Sequence, residues 1–174
     1  MASVGETYPA GLRDALKRLP TKRRLQLLEV RSGLPVQPRD VGIGISQVLP
    51  VVMAALEPSA ALVAIEQPEL HIHPAVQVGL GDLLIQGAKE KGINFLIETH
   101  SEHLILRLLR RIRETTEKSL PEEISELRPK DVSVLYIQSG DAGVEILQLP
   151  IDETGEFTKM WPKGFFGERA EELF

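Results

Sequence analysis

The sharpest hydrophobic pattern in the chain is Ala61–Ile65, five apolar residues in succession closed by Glu66. Such a run predicts a strand buried on both faces of a parallel sheet. Pro68 breaks it, and Pro74 suits the first position of a helix reaching to about Lys91. Val76, Leu80, Leu83, Leu84 and Ala88 form the stripe by which that helix would face the sheet. Gly92 stops the helix, and Ile93–Ile97 is a second short apolar strand, ending in Glu98-Thr-His100-Ser. Strand, helix and strand over Ala61–His100 make a βαβ unit, so the two strands should be parallel with a right-handed crossover. Both then end on one sheet edge, which brings Glu66, Gln67 and His100 together where open α/β sheets bind ligands.

Around this unit the periodicity predicts further elements. Ser101–Glu117 reads as a helix with Leu104, Ile105, Leu108, Leu109 and Ile112 inward and Arg107, Arg110, Arg111 and Arg113 on the wet side. Val132–Gln138 and Val144–Leu149 read as strands joined by Ser139–Gly143, a hairpin. Leu25–Val30 and Leu34–Val36, flanking Arg31, Ser32 and Gly33, read as a smaller antiparallel hairpin. Residues 1–9 look like a lead-in to a short amphipathic helix over Ala10–Leu19, stopped by Pro20. Asp40–Pro50 runs into the apolar segment Val51–Leu56 as a tight glycine turn capped into a helix. Ser46 is the expected N-cap, and Pro50 is expected in or near the first turn. Glycines before a helix amino-terminus make either an anion site or simply a loop ahead of a core helix.

Composition narrows the class. With 174 residues, 43% of them hydrophobic and 26% charged, the chain is long enough for one globular domain with its own core. A net charge of -5 argues against general coating of nucleic acid. The six basic residues within Arg13–Arg24 either touch nucleic acid or form a solvated face. The absence of cysteine excludes disulfides and thiolate metal sites, and no apolar run approaches membrane-spanning length. The chain therefore reads as cytoplasmic, with no membrane partner. His71 and His73 form an H-x-H pair that fits a turn or an interface better than a metal site without a third ligand. Trp161, Phe165 and Phe166 read as aromatics closing a core from the terminus rather than a docking patch. An acidic residue at the end of an apolar strand, as Glu66 is, either meets a cation or hydrogen-bond partner or steps into solvent.

Taken in order, D-V-G-I-G-I-S-Q, V-A-I-E-Q-P-E-L-H-I-H-P and F-L-I-E-T-H-S-E-H resemble the signature region, the Walker B and D-loop, and the switch histidine of ABC-type ATPases of the bacterial AAA/OLD-like group. W-P-K-G-F-F-G-E-R resembles a carboxy-terminal extension of unknown function attached to one branch of that group. The resemblance covers roughly Val30 to Phe174 and implies an α/β fold, the carboxy-terminal half of a P-loop NTPase parallel sheet with flanking helices and a β-hairpin. It divides the chain into a lead-in over residues 1–40, an ATPase core half over 41–150 and a tail motif over 151–174.

The same resemblance implies ATP and Mg²⁺ as ligands and an ATP-gated homodimer as the working form. Glu66 takes the Mg²⁺ carboxylate position, and His100 the position that contacts the γ-phosphate. Gly44, Ser46 and Gln47 would present a helix amino-terminus to the γ-phosphate held by a second subunit. Gln67 stands where relatives place a catalytic glutamate; an amide can orient a water but cannot act as a general base, for which Glu69 or Glu98 are the stand-ins. No G-x-x-x-x-G-K-[ST] run occurs in these residues, and in relatives that loop lies upstream. The chain is thus expected to be half of an ATPase, hydrolysing ATP when joined to a Walker A segment. The alternative is a non-catalytic module, a split subunit or truncated remnant, that partners a Walker A-bearing chain.

Overall fold

The structure is a computed structural model that describes residues 26–37, 40–56, 61–140 and 143–162. Its contacts divide the chain into two units, Met1–Val41 and Gly42–Phe174. The helix expected over Ala10–Leu19, the basic cluster, Phe165 and Phe166 lie outside the described residues.

In the first unit, β1 (Leu27–Leu28) pairs antiparallel with β2 (Pro35–Val36), giving the small hairpin that its sequence predicts. Its turn is held by Glu29, whose carboxylate accepts the Arg31 and Ser32 backbone N–H groups at 3.0 and 2.5 Å. Gly33, with φ 67°, supplies the left-handed residue that closes it.

The second unit runs α1 (Ile43–Leu56), β3 (Leu62–Glu66), α2 (Pro74–Lys91), β4 (Asn94–Glu98), α3 (Glu102–Glu117), a 3₁₀ turn at Pro129–Asp131, then β5 (Leu135–Gly140) and β6 (Gly143–Gln148). Strands β3 and β4 pair in parallel, from Leu62↔Asn94 to Glu66↔Glu98, and β5 and β6 form the expected antiparallel hairpin. Helix α2 starts on Pro74 behind the cap His73 and stops on left-handed Gly92, as its sequence predicts. A core of Val51, Ile72, Leu80, Leu84 and Leu104 packs against Ile65, Phe95 and Ile97 on one face of the β3–β4 pair. A second cluster, Ile85, Ile112 and Leu127, joins α2 and α3 to the segment beyond them. Farther on, Phe157 and Tyr136 meet Trp161 edge-on, with ring centroids 4.9 and 6.4 Å away. Trp161 thus sits among aromatics of its own chain.

Four expectations are corrected. Burial along β3 and β4 alternates, so neither strand is covered on both faces. Leu62 and Leu96 are each 64% exposed on the outer face, and among the described residues the packed core covers only the other. Helix α1 begins at Ile43, so Ser46 lies in its first turn and does not cap it; the Gly42 carbonyl accepts from Ile45 and Ser46. Pro50 consequently falls inside the helix, where it has no N–H to give to the carbonyl one turn back. Within this first turn Gly44 abuts the His71 carbonyl so closely that a Cβ would collide with its oxygen, and would sit tightly against Ile72. In α2, Val76 is exposed and Ile85 takes the buried place, because the stripe drifts around the helix by Ile85.

The fourth correction concerns the arginines. Arg110 and Arg113 are exposed as expected, but Arg107 is half-buried and Arg111 is only 3% exposed. One turn apart on α3, they share a face that meets Asp82 of α2. Arg107 Nη2 lies 2.5 Å from Asp82 Oδ2, and Arg111 Nε 2.8 Å from Asp82 Oδ1. Arg111 also reaches Glu114. Gly81 makes the approach possible, since a Cβ there would fall 2.9 Å from Arg107 Cγ. Burial pushes the Asp82 carboxyl up, but hydrogen bonds from Arg111 and then Arg107, with their charges, outweigh it and hold the group below its ordinary value.

A depressed carboxyl contributes stability above its unfolded pKa, about 3.9, and that contribution is lost as pH falls through the lower folded value. Asp82→Asn should therefore cost roughly 1–3 kcal/mol at neutral pH, since it removes the charge that Arg107 and Arg111 share while Arg111 keeps Glu114. It should also flatten the fall in stability below about pH 4, and denaturant unfolding at a series of pH values checks both. Gly44→Ala should cost roughly 1–3 kcal/mol through overpacking against the His71 carbonyl, measured in the same way, whereas Gly42→Ala meets no atom within 4 Å and should be far milder.

Candidate functional site

Parallel pairing carries β3 and β4 to a common edge, and both chains turn there. The Gln67 N–H donates to the Glu98 carbonyl at 2.8 Å, extending the ladder one residue beyond Glu66. Gln67 then adopts φ 44° and the chain reverses through Pro68–Leu70, with the Leu70 N–H donating to the Gln67 carbonyl. His71, with φ 60°, is a second left-handed residue before the chain enters α2. On the β4 side the turn is Thr99-His100-Ser101, and the Ser101 hydroxyl caps α3 by accepting the Leu104 N–H at 3.0 Å.

Between the two turns lies an open cleft of about 590 Å³, lined by Gln67, Glu69, His71, Gln77, His100 and His103 among others. It thus brings together two of the residues expected at the site, Gln67 and His100. Glu66 is exposed at the end of β3, in register with Glu98, and does not line the cleft. Gly44 stands behind the His71–Ile72 wall. Ser46 is half-buried and Gln47 exposed in the amino-terminal part of α1, and neither lines the cleft.

The cleft floor is a hydrogen-bond network. Glu69 Oε2 accepts from Thr99 Oγ1 at 2.8 Å and Glu69 Oε1 from the His100 N–H at 2.7 Å. Both oxygens of this stand-in base are therefore engaged with the opposite turn. Ser101 Oγ donates to Gln77 Oε1 at 2.7 Å, while Gln77 Nε2 donates to the Ile72 carbonyl at 3.1 Å. The His100 ring is exposed, with Nε2 3.2 Å from Glu98 Oε1. His73 has a local task, its Nδ1 accepting the Ala75 N–H at 3.2 Å. Thr99, Gln77 and Ser101 were not legible as site residues. Ser101 alone carried a local signal, a hydroxyl ahead of an amphipathic run, and that signal reports a helix cap.

Chemically, the cleft offers a neutral amide, imidazoles and a bound carboxylate beside an exposed strand-end carboxylate. Among the described residues no group of three or more His, Asp or Glu could by itself hold a metal ion. A hard cation at Glu66 would thus take most of its ligands from phosphate oxygens and water, as Mg²⁺ commonly does. No helix among the described residues is long and apolar enough to cross a membrane.

Residues 7–107 match the model of a family described as "AAA domain, putative AbiEii toxin, Type IV TA system". Residues 127–174 match that of a "Protein of unknown function (DUF3696)". Comparison with curated proteins gives no match, and comparison with solved structures gives none either. The first match spans more than half of the chain and agrees with the parallel β3–β4 pair flanked by helices. The protein therefore belongs to this AAA domain family, as an AAA-type ATPase domain of the P-loop NTPase class followed by a DUF3696 segment.

Proposed function

We propose that the chain supplies the carboxylate, water-orienting and histidine side of a site that binds and hydrolyses ATP, within an ATP-gated dimer in the cytoplasm. The observation that carries this reading is the cleft itself, where parallel strands deliver Gln67 and His100 to facing turns. In this reading Glu66 holds Mg²⁺ together with phosphate oxygens and water, and the ion neutralises charge on the β- and γ-phosphates. Gln67 orients the attacking water through its amide, since it has no basic group to deprotonate it. His100 donates to the γ-phosphate from a ring whose contact with Glu98 is open to solvent. Gly44, Ser46 and Gln47, at the amino-terminal end of α1, address the nucleotide of a second subunit.

A second reading, a non-catalytic module that docks on a Walker A-bearing chain, is favoured by the uncovered face of β3 and β4, where Leu62, Ala64 and Leu96 meet solvent. Parallel sheets are ordinarily covered on both sides. Calorimetry of Mg²⁺-ATP binding by the 174-residue chain, followed by ATPase assay of the chain joined to a Walker A segment, tests the first reading. Binding that Glu66→Ala weakens roughly tenfold or more would support it, and no binding by either protein would say that the chain needs a Walker A segment. ATPase activity of the joined protein that survives Glu66→Ala would favour the second.

A further inference from the structure

The His100 side chain is held only weakly by its own contacts. Its ring is 70% exposed and meets an exposed glutamate. Its backbone, by contrast, is fixed from several directions. The His100 N–H is taken by Glu69, the Thr99 hydroxyl is taken by the same carboxylate, and that hydroxyl in turn accepts the Ser101 N–H at 3.0 Å. Ser101 is then tied to Gln77. Glu69 belongs to the turn after β3, so its bonds cross 30 and 31 residues of sequence to reach the turn after β4. Hydrogen bonds to an ionised acceptor are roughly twice as strong as neutral ones, and two from one carboxylate fix direction as well as distance.

We propose that Glu69 is a positioning residue: its two hydrogen bonds hold the Thr99–His100 backbone and so fix where the exposed His100 imidazole is presented at the cleft. This rests on the reading of the cleft as the nucleotide site only for its consequence in turnover. The clamp itself is a property of the folded chain. The role does not depend on Glu69 acting as a general base: its two accepted hydrogen bonds occupy one acceptor site on each oxygen. Glu69→Gln keeps an acceptor oxygen for one of the two donors, so it should restore part of what Glu69→Ala loses.

The test joins two measurements on the 174-residue chain. Amide hydrogen exchange and ring resonances of His100, followed by NMR, report the clamp without nucleotide. Glu69→Ala should speed exchange of the His100 amide by about tenfold or more and move the ring resonances, while the amides of Leu84 and Ile112 keep their protection; Glu69→Gln should fall between. Steady-state ATP hydrolysis should then show kcat reduced roughly ten- to a hundredfold with KM little changed. Unchanged exchange at His100 in Glu69→Ala overturns the proposal. So does a loss of protection spread evenly through α2 and α3, and so does faster exchange with kcat intact. If the wild-type chain turns over no ATP, that result bears on the functional reading, and the exchange and ring resonances alone decide whether Glu69 positions His100.

Discussion

The parallel ladder between β3 and β4 is the constraint on which the rest of the second unit depends. Its register runs without a slip from Leu62↔Asn94 to Glu66↔Glu98, and because the strands point the same way, the turns that follow them must emerge side by side. An antiparallel pairing of the same residues would send Gln67 and His100 to opposite ends of the sheet, about 17 Å apart for strands of this length. The crossover that parallel pairing requires is α2, and α2 in turn supplies Gln77 and Asp82, one bonded to Ser101 and the other to Arg107 and Arg111. Site and scaffold thus share a single helix.

That helix also shows how the fold tolerates charge in its interior. Asp82, Arg107 and Arg111 are costly to desolvate one at a time, yet together with Glu114 they form a connected set in which Arg111 meets two carboxylates. The set lies on the joint between α2 and α3, beside the cluster of Ile85 and Ile112. Apolar packing sets how closely the helices approach, and the ion pairs favour one rotation and register, because a shift of one turn would leave Asp82 with only one of its two arginines.

Much of this was legible in the sequence because it is local. Proline and glycine punctuation marked both ends of α2, short continuous apolar runs marked β3 and β4, and the turn residues after Gln138 marked the second hairpin. The inward residues of α3, Leu104, Ile105, Leu109 and Ile112, followed from helical periodicity and are buried. What was not legible is non-local. An apolar run such as Ala61–Ile65 looks the same whether one face of the strand or both are covered. The burial of Arg107 and Arg111 depends on an aspartate on another helix, and the engagement of Glu69 on a threonine and a backbone amide beyond β4. Ser46 misled for a different reason: a serine following Gly42 and Gly44 reads as a cap from sequence alone, whereas the Gly42 carbonyl already accepts the Ile45 and Ser46 N–H groups and places Ser46 inside the first turn.

The two left-handed residues of the cleft turn, Gln67 and His71, bear on how this stretch can vary over evolutionary time. A side chain branched at Cβ is a severe misfit at such φ values, while asparagine, aspartate and histidine tolerate them better and glycine adopts them freely. The alphabet open to positions 67 and 71 is therefore short before any chemistry is considered. Drift towards valine, isoleucine or threonine is opposed by the backbone alone, at a cost on the order of 1–3 kcal/mol. Substitutions at position 67 must therefore come from among unbranched residues, and a change to glycine would relax the turn while removing the amide side chain from the cleft wall.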